Sequence, residues 1–82
     1  MDLVFFDGNH QKEATIKYFT ICLAKAHENS VFIIDDIYWS EGMQEAWNEI
    51  KNHAQVTVTI DLFFLGIVFF RKEQAGQHFM LY

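Results

Sequence analysis

Two short apolar runs in this chain end directly in carboxylates. Leu3-Val4-Phe5-Phe6 runs into Asp7-Gly8-Asn9-His10, and Val31-Phe32-Ile33-Ile34 runs into Asp35-Asp36. Carboxylate oxygens are hard donors suited to Mg²⁺ or Ca²⁺, and a bound divalent ion orients a substrate's hydroxyls and lowers their pKa. His10 follows Asp7 by three residues and has the titration range of a general base near neutral pH. The same residue types also have plain structural uses. Acids at the start of a helix stabilise its N-terminus, and a histidine there is an ordinary polar first-turn residue. Spacing alone leaves both readings open for Asp7, His10, Asp35 and Asp36.

These residues need elements to hold them. An apolar run that stops at a polar turn and gives way to a helical pattern reads as a parallel strand whose C-terminal end opens a site, and open α/β sheets bind ligands at that end. From Gln11 to about Glu28, Ile16, Phe19, Leu23 and Ala26 recur at helical spacing, with Asn9 as the expected N-cap and Asn29-Ser30 as the stop. Strand, helix and strand then make a βαβ unit with parallel strands. A second helix runs from Ser40, its cap, to about His53, with Met43, Ala46, Trp47 and Ile50 facing the core. Val56 to Asp61 alternates apolar and polar, which predicts a strand solvated on one face. Gly66 to Phe70 is apolar on both faces and belongs inside the sheet. The short connection makes these last two strands antiparallel. The expected spatial order is first, second, fourth, third, with the alternating strand at the edge. Glu73 to Gln77 reads as a loop and His78 to Tyr82 as a short terminal strand.

Composition narrows the function classes. The chain has 82 residues, enough for one small domain, and at 51% hydrophobic with nine Phe and no Pro it is globular rather than disordered. A formal charge of −5, with only six Lys and Arg scattered along the sequence, argues against nucleic-acid binding, which draws on clustered cations. The apolar run from Leu62 to Phe70 is far short of the roughly 20 residues of a membrane helix, and the N-terminal residues lack a signal-peptide pattern. Membrane association is not expected. The lone Cys22 gives no disulfide framework, so a soluble protein in the reducing cytoplasmic compartment is expected, with Cys22 as a core thiol. Leu62-Phe63-Phe64-Leu65 is expected in the core, with an interface patch as the alternative. Tyr38 and Trp39 are candidates for a pocket wall, although aromatics after a strand more often simply pack. His27 and His53 are expected to complement helix C-terminal dipoles. The strand Leu3 to Phe6 is apolar on both faces with nothing before it to cover its outer side. Either the chain forms a homo-oligomer through residues 3–6, or it is the rear half of a larger domain.

The segments Asp2 to His10, Val31 to Trp39 and Gly66 to Lys72 together resemble the C-terminal half of a class I S-adenosylmethionine-dependent methyltransferase, over essentially the whole chain. The resemblance implies an α/β fold: a partial Rossmann-like methyltransferase sheet, with two parallel strands plus an antiparallel C-terminal hairpin and helices packed on it, in a single domain over residues 1–82. In that family the last strand lies antiparallel between the fifth and sixth, in agreement with the order read above. The nearest likeness is to the catechol and caffeoyl-CoA type of O-methyltransferase. In that group an Asp after the fourth strand and an Asp-Asn pair after the fifth hold a divalent cation. Asp7 and Asp35 match, and Asp36 stands where Asn is usual. The family's catalytic Lys position is occupied by His10. The implied function is methyl transfer from S-adenosylmethionine to oxygen of a small-molecule acceptor, with Mg or Ca bound at Asp7, Asp35 and Asp36. The family's Gly-rich cofactor loop is absent: Gly8, Gly42, Gly66 and Gly76 are isolated. S-adenosylmethionine is therefore expected to bind only to the complete domain. The alternative is a non-enzymatic α/β module that uses its open strand edge to self-associate or bind a partner.

Overall fold

The computed structural model describes residues 2–6, 11–71 and 76–81. Its elements run β1 (Asp2–Phe6), α1 (Lys12–Leu23), β2 (Ser30–Asp35), α2 (Glu41–Lys51), β3 (Val58–Asp61), β4 (Leu65–Phe69) and β5 (Gln77–Met80). The strands form one mixed sheet in the order β1-β2-β4-β3-β5. β1 and β2 are parallel, β4 is antiparallel to both β2 and β3, and β5 runs parallel to β3. The order first, second, fourth, third is as the sequence predicts. β3 is not the edge, however, because β5 pairs beyond it.

Burial alternates along β2 and β4, as the two-residue period of a strand requires when only one side is covered. Residues paired across neighbouring strands share a face. Phe32, Val68 and Thr59 form one such row, and Ile34, Gly66 and Asp61 the next. Both helices pack on this face. From α1, Phe19 meets Phe6 and Phe32, and Trp47 of α2 lies directly over Gly66. Phe19 and Phe32 meet edge-on at 5.8 Å, and Phe32 and Phe70 at 4.8 Å. Each such pair adds about 0.5–1.5 kcal/mol to the burial of its rings. Met43 joins the helices by accepting from the Thr15 hydroxyl at 3.4 Å, and Cys22 packs against this core as expected.

The opposite face carries Leu3, Phe5, Val31, Ile33, Ile67 and Phe69, with Leu3 62% and Phe5 54% exposed. No described helix covers it.

The helices differ from expectation at their ends. α2 begins at its predicted cap, where the Ser40 hydroxyl accepts from the Met43 N–H at 3.2 Å, and it buries Met43, Ala46, Trp47 and Ile50 as predicted. It stops at Lys51. Asn9 lies outside the described residues, and Gln11 takes the N-cap position of α1 without a side-chain hydrogen bond. α1 ends at Leu23 rather than near Glu28. Its exit tightens through the bonds Lys25 N–H to Cys22 O and Ala26 N–H to Leu23 O. Ser30 then closes the turn: its N–H reaches His27 O at 2.9 Å and its hydroxyl accepts from His27 N–H at 3.0 Å.

β3 reverses the facing read from its alternation. Thr59 and Asp61 are buried on the helix side, at 1% and 2% exposure, while Ile60 lies half-buried on the bare face. Polar partners make this tolerable, because a buried polar group costs little once hydrogen-bonded. Thr59 Oγ1 lies 2.7 Å from Nδ1 of His78 on β5. Among the described residues no helix is long and apolar enough to cross a membrane.

Candidate functional site

β1, β2 and β3 all run the same way, since β3 is antiparallel to the strand that is antiparallel to β2. Their C-terminal ends therefore lie together at one end of the sheet. Asp35 closes β2 there, Asp36 follows it, and Asp61 closes β3. β1 pairs as far as Phe6 opposite Ile34, so it neighbours β2 as the proposed cleft requires. Asp7 and His10 lie outside the described residues.

The backbone at this end is tied by carboxylates. Asp36 adopts φ 57°, a left-handed conformation that aspartate tolerates better than most residues. Its N–H is shared between Asp35 Oδ1 at 3.0 Å and the carbonyl of Phe64 at 2.8 Å. That second bond fastens the β2–α2 loop to the β3–β4 turn. Phe63 also has positive φ, 72°, which for a bulky residue costs about 1–2 kcal/mol. The Asp61 carboxylate offsets it by accepting the Phe63 N–H on Oδ1 at 2.8 Å, and on Oδ2 it accepts the Tyr38 hydroxyl. Tyr38 in turn stacks on Phe63, centroids 5.6 Å apart.

Above this network lies a pocket of about 180 Å³ lined by Asp36, Tyr38, Trp39, Phe63 and Phe64. Trp39, Phe63 and Phe64 are 65%, 56% and 64% exposed. Phe63 and Phe64 are thus not core residues as the apolar run suggested. The tight turn, with Phe64 N–H bonded to Leu62 O and Leu62 N–H to Leu65 O, turns them outward.

The predicted acids are brought together in part. Asp35 and Asp36 are adjacent and half-buried, with one oxygen of Asp35 committed to the backbone. Among the described residues no group of three or more His, Cys, Asp or Glu side chains is placed to hold a metal ion. Asp61 is not singled out by the sequence, because its strand alternates apolar and polar and reads as a solvated edge.

Two histidines accept hydrogen bonds in the turns after the helices. His27 Nδ1 accepts from Asn29 N–H at 3.2 Å and His53 Nδ1 from Gln55 N–H at 3.1 Å. Both follow the last residue of their helix. The chain matches no family model, no curated protein and no solved structure.

Proposed function

We propose that this chain is the C-terminal portion of an S-adenosylmethionine-dependent methyltransferase acting on oxygen of a small molecule, with the cofactor held mainly by an N-terminal half. The observation that carries this reading is the insertion of β4 antiparallel between β2 and β3, the order the resemblance implies. Two further features support it. Carboxylates gather where the parallel strands end, and no described helix covers the apolar second face of the sheet. A sheet with a parallel pair ordinarily has both faces covered, and the cofactor-binding half is the occupant this reading gives to that face.

Methyl transfer is an in-line displacement, and S-adenosylmethionine supplies the methyl group when bound. The contribution of this chain is to position the acceptor and remove its proton. His10 is the proposed base. Asp7, Asp35 and Asp36 are the proposed oxygen donors for Mg²⁺ or Ca²⁺. Asp35 and Asp36 have the right donor chemistry but are two ligands, so the metal assignment depends on Asp7. The test is a fusion of a catechol-type N-terminal half to residue 1, assayed for methyl transfer to small hydroxylated acceptors. Activity that falls by about 10²-fold or more in His10→Ala is expected. Full activity in that variant refutes His10 as base, and an inactive but folded, cofactor-binding fusion refutes the acceptor class.

The open edge favours a second reading. Among the described residues β1 pairs on one side only, and a bare apolar edge strand is a template for another chain. A non-enzymatic module would self-associate through residues 3–6. Sedimentation of the purified chain distinguishes them: a monomer at high concentration removes the support for this alternative.

A further inference from the structure

β5 lies beyond the last segment that carries the resemblance, and neither reading above uses it. Its residues Gln77 to Met80 are all exposed, and three consecutive apolar side chains, Phe79, Met80 and Leu81, are 48%, 64% and 59% exposed. Alternate residues hold it to β3. Gln77 N–H donates to Thr57 O at 3.0 Å and Leu81 N–H to Asp61 O at 2.7 Å. The odd-numbered residues therefore face β3, and the backbone N–H and C=O groups of His78 and Met80 point to the opposite side. Among the described residues no strand pairs on that side. Natural folds ordinarily blunt such an edge with Lys, Pro or an inward charge, whereas this one reads Gln77-His78-Phe79-Met80-Leu81 and is protected only by being short.

The edge is complementary to itself. Laid antiparallel on β5 of a second copy with a two-fold axis at Phe79, His78 of each copy stands opposite Met80 of the other, and each such pair exchanges both N–H···O bonds. A register centred on His78 would instead draw on Gly76, which at φ 67° is not extended. In the Phe79 register the two Phe79 residues meet as a non-hydrogen-bonded pair, the closer kind, with Cα atoms about 4.5 Å apart, and aromatic pairs so placed stabilise a sheet. The apolar face also gains continuity. Phe5, Ile33, Ile67, Ile60 and Phe79 pair in one row across the five strands, and that row runs on into the second copy from its own Phe79. No like charges oppose one another across the axis.

We infer that β5 is a self-pairing edge through which two copies of this chain join their sheets, antiparallel about a two-fold axis at Phe79. The contact is one short strand wide, so the dimer is weak and reversible. β1 stays open at the far edge, and the inference is independent of what occupies it.

The test combines sedimentation and cross-linking of the 82-residue chain. The wild type should show a reversible, concentration-dependent equilibrium between monomer and dimer. Met80→Pro removes an outward N–H that β3 does not use, a position where an edge strand tolerates proline. It should keep the melting temperature measured at low concentration and weaken the dimer by at least about tenfold. In a Cys22→Ala background, Phe79→Cys places two thiols within disulfide reach across the axis and should give a covalent dimer with added thiol oxidant. Gln77→Cys is the control: in this register the two copies of that position lie about 13 Å apart, beyond the roughly 7 Å span of a disulfide, and no cross-link should form. A wild type that stays monomeric at high concentration, with no cross-link through Phe79→Cys, overturns the proposal. So does a dimer that Met80→Pro leaves intact, or equal cross-linking from both cysteine variants.

Discussion

Replacing Gly66 by alanine tests the packing that sets the site's floor. Gly66 pairs with Ile34 on one side and Asp61 on the other, and Trp47 closes over it. A Cβ at this position would lie 2.4 Å from Cη2, 2.6 Å from Cζ3 and 2.8 Å from Cζ2 of the indole. Carbon atoms in contact want about 3.5–4.0 Å, so the ring must shift by more than an ångström. At 1% exposure it sits in close-packed surroundings. Overpacking of this kind costs about 1–3 kcal/mol, and alanine recovers about 0.5–1 kcal/mol of unfolded-chain entropy, leaving a net loss of about 1 kcal/mol. An 82-residue chain has an unfolding entropy of about 170 cal/mol/K, so Tm should fall by about 6 °C. Trp47→Phe removes the far ring that clashes and also deletes an indole N–H that has no hydrogen-bond partner among the described residues. In that background Gly66→Ala should be neutral or stabilising, a coupling of about 2 kcal/mol. Thermal unfolding by circular dichroism of the four variants measures it. An equal cost of Gly66→Ala in both backgrounds would refute the reasoning.

Three other outcomes follow from the same structure. Tyr38→Phe removes a donor to the buried Asp61 carboxylate and should cost about 1–3 kcal/mol, read by urea denaturation; an unchanged midpoint would mean that water replaces the hydroxyl. Phe5→Glu places charge on the bare face at a half-exposed position and should change stability by no more than about 0.5 kcal/mol while lowering any self-association seen by sedimentation; a collapse of the fold would show that the face is covered. Glu45 and Glu49 hydrogen-bond Lys12 and raise its pKa above 10.5, so its stabilisation is complete below that value and is lost as pH rises through the higher folded value. The Tm gap between the wild type and Lys12→Met should therefore hold at about pH 9 and narrow towards about pH 12; a gap that stays constant across that range argues against the pairing.

The strand order was legible because local signals agreed: apolar runs on both faces mark interior strands, and the short link after Asp61 forces a hairpin. The core face of α2 was legible for the same reason, with Ser40, Met43, Ala46, Trp47 and Ile50 all in phase. The facing of β3 was not, because alternation fixes which residues share a side and not which side is covered. Only the tertiary partners, Tyr38 for Asp61 and His78 for Thr59, put the polar side inward. Phe63 and Phe64 were misread for a related reason, since an apolar run says nothing of a turn that points it outward. Asp35 and Asp36 were found by type and position. Asp61 was hidden in a strand that looked like a solvated edge.

Calorimetric titration with S-adenosylmethionine tests the methyltransferase reading most directly, using the 82-residue chain and its fusion to a catechol-type N-terminal half, each with and without Mg²⁺. The reading predicts no saturable binding by the chain alone and saturable one-to-one binding by the fusion. Saturable binding by the isolated chain, or none by a fusion that circular dichroism shows to be folded, would contradict it.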